Sequence, residues 1–94
     1  MIRSYADRDT ERFANGARIA RWDAFRVQAE RRLRVLDAAT QLSDLAALNS
    51  NRLEALKGDR RGEYSIRINQ QWRICFRWPS AAPGPENVEI VDYH

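Results

Sequence analysis

From Tyr64 to Trp78 the chain alternates apolar and polar side chains with a period of two, broken once at Asn69-Gln70-Gln71. Tyr64, Ile66 and Ile68 share one parity of the first run, and Ser65, Arg67 and Asn69 the other. In the second run Trp72, Ile74, Phe76 and Trp78 oppose Arg73, Cys75 and Arg77. Successive side chains of a strand point to opposite faces, so the pattern predicts two paired strands joined by a tight turn, one face apolar and the other polar. The apolar face has to be buried against something.

The first half of the chain supplies the cover. From Arg21 the spacing becomes helical, with Trp22, Phe25, Ala29, Leu33, Leu36 and Ala39 or Thr40 on one stripe and Arg21, Glu30, Arg31, Arg34 and Asp37 elsewhere. Before it, Ile2 to Tyr5 alternates like a short edge strand, and Asp9 or Thr10 is placed to cap a short helix over Glu11 to Asn15 that Gly16 stops. Gln41 to Ser50 reads as a connector with one helical turn begun by Ser43 or Asp44 and carrying Leu45 and Leu48. Pro79 to Pro85 is too rich in proline for a strand, and Val88 to Asp92 resumes the sheet. The expected fold is α+β, with helices on one face of a sheet. At 94 residues, the chain has room for a single domain over 1–94 with one modest core.

Apolar residues make up 44% and charged residues 31% of the chain, the balance of a globular protein. No apolar run nears the roughly 20 residues that span a bilayer, and Met1 to Tyr5 does not lead into a signal-peptide core, so a cytoplasmic location without membrane association is expected. Cys75 is the only cysteine and His94 the only histidine, which argues against an internal disulfide and a Cys/His zinc site. No metal or other cofactor is expected. Cys75, in mid-strand with no histidine nearby in sequence, reads as a packed thiol rather than a nucleophile. The formal net charge is +3 and Lys57 is the only lysine, so the excess is carried by arginine. Arginine's planar fork suits phosphate and guanine edges. A GC-rich genome writes the same bias, and only placement separates the two explanations. Arg67, Arg73 and Arg77 share the parity opposite the apolar one, which is the placement an anion-binding face requires.

The stretch Leu53-Glu54-Ala55-Leu56-Lys57-Gly58-Asp59-Arg60-Arg61-Gly62-Glu63-Tyr64-Ser65-Ile66-Arg67-Ile68-Asn69, followed by Gln71-Trp72-Arg73-Ile74-Cys75-Phe76-Arg77 and the closing Val91-Asp92-Tyr93-His94, closely resembles the HigB family of bacterial toxins within the RelE superfamily. The likeness is strong over the C-terminal half and by pattern only before it. It implies a RelE-like domain whose twisted, mostly antiparallel sheet carries the N-terminal helices on one side and an RNA-binding concavity on the other. It further implies the toxin of a bacterial type II toxin-antitoxin system: a ribosome-dependent mRNA endonuclease that stops translation. The implied partners are the ribosome, mRNA and a helix-turn-helix, HigA-like antitoxin, with operator DNA reached only through the antitoxin complex. The implied chemistry is metal-free attack of a ribose 2'-hydroxyl on the adjacent phosphate.

By the same resemblance Lys57 and Arg73 form the phosphate clamp, and Asp92, Tyr93 and His94 take acid-base, orienting or stacking roles. Arg60, Arg61, Arg67 and Arg77 are candidates for binding RNA phosphates without reading bases. Glu54 stands where relatives carry histidine. An ordinary glutamate titrates at about 4.3 and is a weak base near neutrality, so Glu54 as general base, His94 in its stead, and a slow enzyme all remain open. Plainer alternatives stand beside each role: Arg73 as the surface partner of Glu89, Glu54 as the ion-pair partner of Arg52, Lys57 or Arg73, and His94 as a terminus with no role. Trp72 and Trp78 belong to the core by parity. A rival for the whole chain is a toxin homologue with weakened cleavage, acting as an antitoxin- or ribosome-binding module. A plain single-stranded RNA-binding domain is disfavoured by the lack of aromatic platforms on the polar parity.

Overall fold

The computed structural model describes residues 1–92; Tyr93 and His94 lie outside the described residues. Helix α1 (Arg8–Ala14) is followed by a 3-10 turn at Ala20–Phe25 that runs directly into α2 (Arg26–Ala38), then by the short α3 (Leu42–Ala46). Strands β1 (Glu54–Ala55), β2 (Glu63–Arg67), β3 (Trp72–Arg77) and β4 (Glu86–Asp92) form one sheet in chain order, each pair antiparallel. The result is the α+β arrangement expected, and no described helix is long and apolar enough to cross a membrane.

The two periodicities meet at the core. Ile66, Ile74, Phe76, Val88 and Ile90 from the sheet pack against Phe13 of α1 and against Trp22, Phe25, Ala29, Leu33 and Leu36, the helical stripe read from the spacing. Trp72 and Trp78 lie against the margin of this core, partly buried, with Phe25 stacked on Trp72 at 4.9 Å. The stripe begins as a 3-10 turn rather than as α-helix. Three residues per turn align Trp22 directly with Phe25, and both are buried, Trp22 meeting Phe13 edge-on at 5.4 Å. Asn69 makes the hairpin turn: its Oδ1 accepts from the backbone N–H of Gln71 at 2.8 Å and of Trp72 at 2.7 Å.

Several local expectations shift. The cap of α1 is Asp7, whose carboxylate accepts from Thr10 N–H at 2.7 Å. Asp9 is occupied instead with Arg21, and Thr10 is buried with its hydroxyl accepting from Ile90 N–H, tying α1 to β4. α3 is capped by Gln41, and Asp44 reaches back to Thr40 and Gln41; these hydrogen bonds, the Thr40 N–H foremost, hold the Asp44 carboxyl below the usual range. Leu45 is buried, but Leu48 lies beyond the helix end and is exposed. The N-terminal segment makes no regular strand. It lies parallel to β4 through a single bridge, Tyr5 to Val88, with Arg3 N–H on Pro85 O and Val88 N–H on Ser4 O. Pro85, which has no N–H, and Asn87, at φ +52°, break the ladder there. Gly84 is required at this seam, because a Cβ there would collide with the Met1 carbonyl oxygen.

Candidate functional site

Residues opposite one another in a sheet share a face, so the register arranges the polar parity in rows. Glu54, Ser65, Cys75 and Glu89 form one row, Arg67, Arg73 and Val91 a second, and Glu63, Arg77 and Glu86 a third. The three arginines expected together are therefore separated. Arg67 and Arg73 are direct neighbours at one end of the hairpin, while Arg77 stands at the other end among carboxylates, four residues and about 13 Å along the strand.

Arg73 is the centre of the arrangement and is far from a surface residue. Its side chain is only 10% exposed, against 50% for its partner Glu54. Nη1 lies 3.1 Å from Glu54 Oε1, and Nη2 donates to the Arg52 carbonyl at 2.7 Å. The pairing with Glu89 considered from sequence does not occur, because Glu89 binds Arg60 instead. Of the three partners considered for Glu54, the structure selects Arg73.

The carbonyl that grips Arg73 is presented by unusual backbone. Arg52 has φ +49° and ψ +49°, the left-handed region that costs a non-glycine residue free energy. Asn51 holds it there. Fully buried in the 3-10 turn at Asn49–Asn51, its Nδ2 donates to Leu45 O at 3.0 Å and its Oδ1 accepts from Arg32 Nη1 at 2.7 Å. Sequence reading assigned no part to Asn51, Arg32 or the Arg52 carbonyl, and a backbone acceptor in an irregular turn leaves no periodic signal.

Past β1 the chain leaves the sheet in a 3-10 turn at Gly58–Arg60, and this connector walls a hollow of about 540 Å³ over the open face. Glu54, Lys57 and Arg60 line it from the connector, Cys75 and Val91 floor it, and Asp92 stands at its end. Lys57 is exposed, and among the described residues it forms no salt bridge. Asp92 accepts from Gln71 Nε2 at 3.0 Å. Arg60 is bound on both sides, to Glu63 at 2.9 Å and Glu89 at 2.7 Å, which raises its pKa, the Glu89 hydrogen bond foremost. It leans across Cys75, whose buried thiol is pushed up to about 11 despite the opposing pull of Arg60. The thiol is protonated near neutrality and inert, as read from sequence.

The structure thus gathers Glu54, Lys57, Arg60, Arg73 and Asp92. Arg61 is exposed on the turn, Arg67 donates to Asn69 O at 3.2 Å, and Arg77 is exposed at the far end; none of the three lines the hollow. Tyr93 and His94 fall outside the described residues. Another hollow, about 550 Å³ between Ala46 and Leu53, has Arg52 as its only ionisable lining residue and lacks the groups for acid-base work. The gathered site offers three cations of different kinds, one fixed and buried (Arg73), one exposed (Lys57) and one already bound to Glu63 and Glu89 (Arg60), beside Glu54 and Asp92. That set suits holding a phosphodiester and moving protons around it.

Residues 3–94 match the family described as the RelE-like toxin of the type II toxin-antitoxin system HigB. The chain is 48% identical over 48 residues to Toxin HigB-1 of Vibrio cholerae, covering 51% of this chain and 50% of that protein. It is 38% identical over 63 residues to Endoribonuclease HigB of Proteus vulgaris, covering 67% and 65% respectively. The matched stretches thus span about half to two thirds of these relatives' lengths. A solved structure, the YoeB/ParE toxin from Agrobacterium tumefaciens, has the same fold at a TM-score of 0.62 and 19% identity, over 99% of this chain and 98% of its own.

Proposed function

The chain belongs to the RelE-like HigB toxins of type II toxin-antitoxin systems, and from that membership we propose that it is an endoribonuclease that cuts mRNA on the ribosome and is held in check by a helix-turn-helix antitoxin in the bacterial cytoplasm. The observation that carries the reading is the site around Arg73, a buried guanidinium paired with Glu54, a carboxylate that together with the exposed Lys57 lines the hollow over the sheet face. Arg73 and Lys57 hold the scissile phosphate and offset the charge that builds on its oxygens as the adjacent 2'-hydroxyl attacks. A base takes the 2'-hydroxyl proton and an acid returns one to the departing 5'-oxygen, leaving a 2',3'-cyclic phosphate and a 5'-hydroxyl. By the same family likeness these proton transfers fall to Asp92, Tyr93 and His94. Arg61, exposed on the turn, adds affinity for RNA phosphates, whereas Arg67 and Arg77 stand outside the hollow.

The Glu54–Arg73 pair also favours a second reading, a toxin homologue with weakened cleavage that works as an antitoxin- or ribosome-binding module. Cleavage of a defined mRNA by the purified chain, with and without programmed ribosomes and with 5' ends mapped, separates the two. Ribosome-dependent cuts at fixed codon positions, lost in His94→Ala, are the expected result. No cuts, with tight antitoxin binding retained, establish the module.

A further inference from the structure

Glu54 is placed to compete with substrate for Arg73. The guanidinium is held on two sides by groups of opposite permanence. On one side the Arg52 carbonyl is main chain, fixed by the buried Asn51, and cannot leave. On the other side the Glu54 carboxylate sits on β1, a two-residue strand at the edge of the sheet, with its side chain half exposed. A change of side-chain rotamer takes it into water at little cost, because no packed neighbour has to move. A carboxylate and a phosphodiester present paired oxygens to the same fork of N–H donors, so the two anions are alternatives for one seat.

We infer that Glu54 is an internal stand-in for the substrate phosphate, occupying the anion seat of Arg73 in the free protein and displaced when RNA binds. The inference rests on reading Arg73 as the phosphate ligand. A guanidinium as buried as Arg73 requires anionic compensation in the absence of substrate, and among the described residues Glu54 contributes it. The same contact reduces affinity for RNA, because each binding event must first break an ion pair. It also gives the carboxylate at this position a function other than that of a base. Lys57, three residues along the same connector, remains available throughout to attract the incoming phosphate.

The test is equilibrium binding of two probes, inorganic phosphate and a dinucleoside monophosphate with a 2'-deoxy sugar that blocks cleavage. Both are followed by amide chemical shifts of the full chain, whose spectra also report folding. The isosteric Glu54→Gln and, as a second removal of the charge, Glu54→Ala are expected to bind both probes about tenfold more tightly than the parent, the scale of one partly exposed ion pair. In an Arg73→Ala background, where binding is weak, Glu54→Gln is expected to change nothing. If Arg73→Ala weakens binding but neither Glu54 variant strengthens it, the stand-in is refuted while the phosphate role of Arg73 survives. A loss of cleavage in Glu54→Gln at unchanged probe affinity likewise overturns it and makes Glu54 a proton carrier. If Arg73→Ala binds both probes as the parent does, the phosphate reading fails, and the stand-in fails with it.

Discussion

Replacing Asn51 tests whether the site is held by the small helical layer behind it. Asn51 is fully buried and makes two side-chain hydrogen bonds, to Leu45 O and from Arg32. Asn51→Leu keeps approximate volume and removes both. Leu45 O loses a donor inside the protein, at about 1–2 kcal/mol, whereas Arg32 is only half buried and recovers most of its loss in water, at about 1 kcal/mol or less. The total, about 2–3 kcal/mol, lowers the melting temperature of a 94-residue domain by roughly 10–20 °C. Asn51→Asp retains an acceptor for Arg32 but buries a carboxylate oxygen against the Leu45 carbonyl oxygen, so it should lose at least as much. Thermal and urea unfolding followed by circular dichroism read these values, and cleavage assayed well below the transition reads the second consequence. Without its pin, Arg52 relaxes from φ +49° and withdraws its carbonyl from Arg73, so Asn51→Leu should cleave more slowly even while fully folded. A folded Asn51→Leu protein with parental stability and activity would refute the reasoning.

Three further outcomes are expected. The Cys75 thiol, raised from 9.0 to about 11 in the folded protein, contributes stability that is complete below pH 9 and is lost as pH rises from 9 through 11; Cys75→Ala should flatten this alkaline loss, of the order of 2 kcal/mol, in urea titrations across that range. Gly84→Ala forces a Cβ onto the Met1 carbonyl and should cost about 1–3 kcal/mol, with amide exchange quickening at Arg3 and Ala6, whose N–H groups bond to Pro85 and Val88. RNA binding should depend only mildly on salt: with Lys57, Arg61 and Arg73 as the cations that meet phosphate, the slope of log K against log salt is about −2, whereas six cations including Arg60, Arg67 and Arg77 would give about −4.

The sheet and the α2 stripe were legible in the sequence because both bury one face, and burial writes a period. Trp22, Phe25, Ala29, Leu33 and Leu36 are all buried, as the spacing required, and Ile66, Ile74 and Phe76 meet them from the other layer. The caps of α1 and α3 were misplaced by two or three residues because several of Asp7, Asp9, Thr10, Gln41, Ser43 and Asp44 are competent to cap, and tertiary contacts choose among them. Thr10, for example, is taken by Ile90 N–H, which leaves Asp7 for the helix end. Arg73 was legible as a candidate through strand parity and through the HigB-like motif. Its depth was not, since parity tells the face of a strand but not what the connector at Arg52 to Lys57 lays over that face.

The arginine excess illustrates the same limit from the side of charge. Parity put Arg67, Arg73 and Arg77 on one face, and composition alone would make that face strongly cationic. The register sets Arg77 opposite Glu63 and Glu86, and Arg60 is bound to Glu63 and Glu89, so the row through Arg77 carries more carboxylate than guanidinium. A phosphate approaching that row meets repulsion where the count of arginines would have promised attraction. The positive potential is left at the other end of the hairpin, around Arg73 and Lys57. There Glu54, the carboxylate paired with Arg73 among the described residues, is carried on the part of the sheet with the least holding it in place. On the reading proposed for Arg73, the carboxylates would act as a guide, closing most of the open face to phosphate and leaving one seat whose occupant can be exchanged.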